Sequence, residues 1–191
     1  MHFIWLVLVL SVLSSNVRAG TLGDLIYKIA DGQMTITDCE EAAEGELVIP
    51  NEIEGLPVTS IGDQAFRDCS SLTSITIPDS VTSIGDWAFY MCSSLTSITI
   101  PDSVASIGDG AFDGFKTLTS IIIPEGVTCI GDEAFRGCES LTSITILNSV
   151  TSIGDEALTE CTGLSSIQLP KRFHSDSERK LIGLSSEIEV N

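Results

Sequence analysis

Apolar residues return along most of this chain in one fixed order. Residues 71–93, SLTSITIPDSVTSIGDWAFYMCS, place them at Leu72, Ile75, Ile77, Val81, Ile84, Ala88, Phe89 and Cys92. The order recurs in residues 94–116, 117–139 and 140–162, a period of 23 residues repeated four times. Residues 46–70 match with a longer stretch between Pro50 and Ile61, and GLSSIQLP at 163–170 starts a further unit. Ile-Gly-Asp triplets beginning at Ile61, Ile84, Ile107, Ile130 and Ile153 keep the register. Self-similarity at such a period marks a stack of repeats.

Each unit divides on physical grounds. Leu72, Ile75 and Ile77, set among Thr and β-branched residues, predict a strand. Pro78 ends it, since proline donates nothing to a ladder, and Asp79-Ser80 favours a turn. Val81 and Ile84 predict a second short extended piece, and Gly85 a sharp corner. Asp86 is placed to cap a short helical turn over Trp87 to Cys92, from which Ala88, Phe89 and Cys92 point inward. One unit cannot fold alone. About six large apolar side chains yield roughly 9–18 kcal/mol gross when buried, against roughly 23–46 kcal/mol of backbone entropy for a unit of this length. Stacking buries both faces of a unit and pairs its strand with its neighbours. The expected fold is an α/β repeat: a right-handed solenoid with one continuous parallel β-sheet, short second strands and short helical turns.

The unit L-x-x-I-x-I-P-x-x-V-x-x-I-G-x-x-A-F-x-x-C resembles the BspA-type leucine-rich repeat, and the resemblance covers residues 47–170. It implies a leucine-rich-repeat solenoid of the bacterial secreted or cell-surface class, engaged in protein or glycan recognition, adhesion included. The commoner leucine-rich repeat carries Asn after the strand. Pro78, Pro101 and Pro124 stand in that region here, so no Asn ladder is expected. Leu147 and Leu158 replace the Pro and Phe of other units, a departure expected near a cap.

The ends differ from the array. Ile4 to Leu13 is an apolar run too short to span a bilayer. With Val17-Arg18-Ala19 as a cleavage signal, residues 1–19 are expected to be a signal peptide, although its start carries no Lys or Arg. The product is then expected outside the cell, free of the membrane. Residues 20–46 form an expected N-terminal cap, with a hairpin turning at Ala30-Asp31-Gly32. Residues 171–191 form an expected C-terminal cap. There Ser175 and Glu178 make a capping box that opens a short helix to Leu181, with Gly183 as the stop.

Charge narrows the function. Nine Lys and Arg face 27 Asp and Glu, a formal net charge of −18. Nucleic-acid binding needs clustered cations, and an acidic chain is repelled by anionic lipid. With 43% hydrophobic residues the chain is not disordered by composition. His174 is the one histidine outside the expected signal segment, too little for nucleophilic catalysis. The Ile-Gly-Asp corner is not a phosphate loop. No catalytic residue, cofactor or metal site is expected.

Three columns remain. Cys69, Cys92, Cys138 and Cys161 share one repeat position, which Phe115 fills in the middle unit. A slot that accepts Phe calls for apolar bulk, so buried thiols are expected rather than disulfides. Cys39 and Cys129 stand apart, and Cys129 replaces an outward Ser. Asp63, Asp86, Asp109, Asp132 and Asp155 form a second column, expected to cap their own turns rather than to hold cations. The third column is outward on the first strand: Thr76, Thr99, Ile122 and Thr145, followed by Gln168. Its first four members are the candidate ligand-binding residues. The expected function is a monomeric, non-catalytic module that recognises a protein or glycan. A structural acidic spacer or matrix protein is the alternative.

Overall fold

The computed structural model describes residues 18–40 and 42–191, and the expected signal segment before Arg18 lies outside them. Strands β1 (Arg18–Leu22), β2 (Leu25–Ala30) and β3 (Gln33–Cys39) run antiparallel in sequence. Asp31 and Gly32, both at positive φ, turn β2 into β3, as tight hairpins require. Ala19 pairs with Lys28 inside β1, so cleavage after Ala19 would remove the first two residues of that strand.

The repeats then contribute strands in chain order: β4 (Gly45–Val48), β5 (Glu52–Ile53), β6 (Leu56–Ile61), β7 (Leu72–Thr76), β8 (Ser83–Ile84), β9 (Ser97–Thr99), β10 (Ser106–Ile107), β11 (Ser120–Ile123), β12 (Cys129–Ile130), β13 (Ser143–Ile146), β14 (Ser152–Ile153), β15 (Ser166–Gln168) and β16 (Glu189–Val190). They form three sheets, not one. Strands β4-β7-β9 make one parallel sheet and β11-β13-β15-β16 another. The Ile-Gly strands run their own parallel ladder, β6-β8-β10-β12-β14, which continues the N-terminal hairpins through β3. The reason is the corner after each proline. It turns the peptide groups of Ser83-Ile84 onto a different side of the coil, where they pair with Ser60-Ile61 and Ser106-Ile107.

The expected helical turns are absent. In the first unit Ala65, Arg67 and Cys69 donate N–H to the third residue back, while Gln64, Phe66 and Asp68 donate to Asp86, Ala88 and Tyr90 of the next unit at 2.7–2.8 Å. The alternation follows from left-handed residues at every fourth position: Gln64 and Asp68, Trp87 and Met91, Gly110 and Gly114. Each flips a peptide so that alternate N–H groups point along the stack. The turn face is thus a third hydrogen-bonded side of the coil. Among the described residues, helix is confined to a 3-10 turn at Lys171–Phe173 and to α1 (Asp176–Leu181), whose N-cap Ser175 accepts from Glu178 N–H at 3.2 Å.

No polar residue is buried among those described. Phe66, Phe89, Phe112 and Phe135 stack through the centre with centroids 5.1, 5.5 and 5.2 Å apart. Leu158 takes the next place, and the chain after it closes the stack: Glu156 and Leu158 N–H bond to Leu181 and Ile182 carbonyls, standing in for a following unit. No helix among the described residues is long and apolar enough to cross a membrane.

Candidate functional site

The outward strand positions line up across the array. Val48 pairs with Thr76 and Thr76 with Thr99. Beyond the break between β9 and β11, Ile122 pairs with Thr145 and Thr145 with Gln168. All are exposed except Thr145, which is half-buried. Val48 and Ile122 are 65% and 64% exposed, the two most open large hydrophobic side chains among the described residues. The structure therefore places Thr76 and Thr99 in one ladder, to which it adds Val48, and Ile122 and Thr145 in a second. Val48 was findable: Leu47-Val48-Ile49-Pro50 aligns with Ile75-Thr76-Ile77-Pro78, but the longer connection after Pro50 obscures the register. Neither ladder carries a charge in a chain of net −18.

A neighbouring Thr column holds the fold. Thr96 and Thr142 hydroxyls donate to Thr73 and Thr119 carbonyls at 3.3 and 3.0 Å, and Ser165 does the same to Thr142 at 3.2 Å. On the Ile-Gly side, Thr82, Thr128 and Thr151 clip to the previous unit in the same way. These hydroxyls are committed to inter-unit bonds.

The Asp column corrects its expectation. The first four carboxylates serve the next unit rather than their own turn: Asp63 accepts from Asp86 N–H at 3.0 Å, and Asp109 from Asp132 N–H at 2.8 Å. The adjoining glycines make room for it. A Cβ on Gly85 would lie 2.5 Å from the Asp63 carboxylate and 2.6 Å from its amide nitrogen. Among the described residues, no three His, Cys, Asp or Glu side chains converge on a metal position.

On the turn face Trp87 packs edge-on against Tyr90, centroids 5.3 Å apart, and the Arg67 guanidinium lies 5.2 Å over the Tyr90 ring. Arg67 thereby covers one face of the tyrosine, and Trp87 lies against Gly110. Phe115 is buried. His174 is exposed, with Nε2 3.0 Å from the Leu169 carbonyl.

All six cysteines are free, five buried and Cys129 exposed. The thiols of Cys92 and Cys161 donate to Phe66 and Phe135 carbonyls at 2.9 and 3.1 Å. Phe115 splits the column. On one side Cys138 donates to the Phe112 carbonyl at 3.4 Å, and the neighbouring Cys161 thiol together with burial pushes Cys138 well above the usual thiol range. On the other, Cys39, which stands outside the repeat, lines one cleft with Cys69.

Three hydrogen-bonded sides around an apolar stack define a leucine-rich-repeat β-solenoid. The chain belongs to the BspA-type leucine-rich repeat family, whose repeat region matches residues 59–180 in six copies. Among solved structures it is similar to the T. pallidum leucine-rich repeat protein TpLRR, at 29% identity over 91% of this chain and 86% of that one, with a TM-score of 0.76. It is also similar to a leucine-rich repeat protein from Bacteroides ovatus, at 34% identity over 80% of this chain and 47% of that one, TM-score 0.70. The pneumococcal vaccine antigen PcpA is 27% identical over 81% of this chain and 44% of its own, TM-score 0.65. The chain thus spans about half the length of the last two. No curated protein matches it.

Proposed function

We propose that this chain is a non-catalytic, monomeric recognition module, secreted or displayed at the cell surface, whose ligand is a protein or glycan held on the outward strand residues Val48, Thr76 and Thr99 of one sheet and Ile122, Thr145 and Gln168 of the next. One observation carries the reading: an uncharged strip with two exposed aliphatic side chains runs across an otherwise acidic solenoid. Interface cores are depleted of charge in this way, and repeat solenoids offer extended faces to partners. The similarity to a protein described as a vaccine antigen supports an exposed location.

The test is a glycan array and a panel of purified extracellular glycoproteins, probed with wild type and with the triple variant Thr76→Glu, Thr99→Glu, Ile122→Glu. The expected result is a ligand retained by wild type at about 0.5 M salt, where charge interactions are screened, and lost by the folded triple variant. Retention of full affinity by the triple variant overturns the reading. The acid excess favours a second reading, a structural spacer, and wild-type binding that disappears with salt would select it.

A further inference from the structure

Two aromatic side chains stand outside the core, and both belong to one unit. Among the described residues Trp87 and Tyr90 are half-buried, while Tyr27 and the phenylalanines are buried. With Gln64 and Arg67 of the unit before, they line a hollow of about 240 Å³ on the turn face. Gln64 and Arg67 also line a neighbouring cleft of about 1000 Å³, which carries the carboxylates of Asp63 and Asp68. We propose that this face binds a neutral oligosaccharide, with one pyranose ring in the hollow against Trp87 and Tyr90 and the rest of the sugar chain running into the acidic cleft. The site lies on a different side of the coil from the outward strand residues and does not rest on them.

The fold does not require these two rings. The place of Trp87 is taken by Gln64, Gly110, Glu133 and Glu156 in other units, and that of Tyr90 by Arg67, Asp113, Arg136 and Thr159. Trp87 moreover sits at φ 56°, a backbone region that bulky side chains rarely adopt. Gly110 occupies the same region at φ 57° one unit later. A tryptophan kept there at a conformational cost points to a site. The surface is also set in advance. Trp87 rests on Gly110, where a Cβ would collide with its ring, and the Arg67 guanidinium lies over Tyr90. Side chains ordered before a ligand arrives lose little freedom on binding.

Charge and hydrogen-bonding capacity select the guest. Arg67 repels a cation from the aromatic pair, while Asp63 and Asp68, in a chain of net −18, repel an anion. The guest is therefore uncharged. Arg67 gives its Nε–H to Asp68 at 3.4 Å and an Nη1–H to Gln64 at 3.3 Å, which leaves Nη2 without a partner among the described residues. Nη2 and the Gln64 amide can donate to hydroxyl oxygens, and the carboxylates can accept hydroxyl protons. An apolar aromatic wall beside such donors and acceptors fits a molecule with one C–H face and a rim of hydroxyls, which is a pyranose. Sites that enclose a drug-sized ligand measure about 300–1,000 Å³. The smaller hollow thus suits a single ring, and the larger cleft takes the sugars that follow.

The experiment titrates the full chain with cellotetraose, maltotetraose, mannotetraose and N-acetylchitotetraose, and with tetragalacturonate as the anionic comparison. The indole N–H resonance of Trp87 and isothermal calorimetry are the readouts. The expected result is that at least one neutral tetrasaccharide shifts the indole resonance saturably and binds more tightly than tetragalacturonate. Trp87→Gly should keep the fold, because Gly110 fills the equivalent place, and lose at least about tenfold in affinity, as should Arg67→Met. The triple variant Thr76→Glu, Thr99→Glu, Ile122→Glu should bind the tetrasaccharide as wild type does, so this site and the strand surface stand or fall separately. The proposal is overturned if none of the neutral sugars moves the Trp87 resonance, if only tetragalacturonate does, or if folded Trp87→Gly keeps full affinity.

Discussion

The Asp86 carboxylate accepts the backbone N–H of Asp109, one unit further along, at 2.9 Å. The bond recurs from Asp63 to Asp86, Asp109 to Asp132 and Asp132 to Asp155. The like charges of Asp63, Asp86, Asp109 and Asp132 are therefore tolerated because each is tied to a peptide dipole of the next unit. Removing the acceptor in Asp86→Ala is expected to lower stability by about 1 kcal/mol. Asp86→Asn keeps an amide oxygen in place and should lose less than half of that. Urea denaturation of both variants checks the ordering.

The phenylalanine stack makes a second prediction. Phe112 lies between Phe89 and Phe135 and meets Phe115 edge-on at 5.6 Å. Phe112→Ala should cost about 3–5 kcal/mol, as large cavities in buried cores do. Phe112→Leu should cost clearly less, because Leu158 fills the equivalent slot of a later unit. Chemical denaturation followed by circular dichroism gives both values.

A pH dependence follows from Asp113. Burial pushes its carboxyl up from 3.8 to about 6, with Glu133 and Glu160 adding to the effect and Arg136 opposing it. The folded state then binds more protons than the unfolded state between these two values, so stability falls as pH rises through that window. The penalty is absent below the lower value and complete above the upper one. Asp113→Asn removes it. The Tm of wild type should drop more than that of Asp113→Asn between about pH 4 and about pH 7. Equal drops in the two proteins contradict the assignment.

The inward half of this architecture was legible because its period is strict. Leu72, Ile75, Ile77, Val81, Ile84, Ala88, Phe89 and Cys92 are all buried, as their recurrence requires. The turn face was not legible in the same way. Asp86 followed by Trp87-Ala88-Phe89 has the local chemistry of a capped helical turn, and nothing in Gln64, Trp87 or Glu133 announces a left-handed backbone. The glycines at 110, 114 and 137 were the available signal, since they occupy the positions that elsewhere hold Trp87, Met91 and Glu160 at positive φ. One continuous sheet was expected because stacking was read as pairing only the first strand of each unit with its neighbours. The pairing of the second strand to neighbouring units is a property of the stack, not of any single unit. The shared outward position of Thr76, Thr99, Ile122 and Thr145 was visible from register alone, whereas Val48 joins it only through the coil that precedes the regular repeats.

The most direct test of the recognition surface is site-specific photocrosslinking. A photoreactive phenylalanine placed at Ile122, on the ladder, is compared with one at Cys129, exposed on the Ile-Gly side. Each is mixed with the ligand that wild type retains at high salt and then irradiated. The account predicts an adduct from position 122 and none from position 129. An adduct from 129 with none from 122 would contradict it.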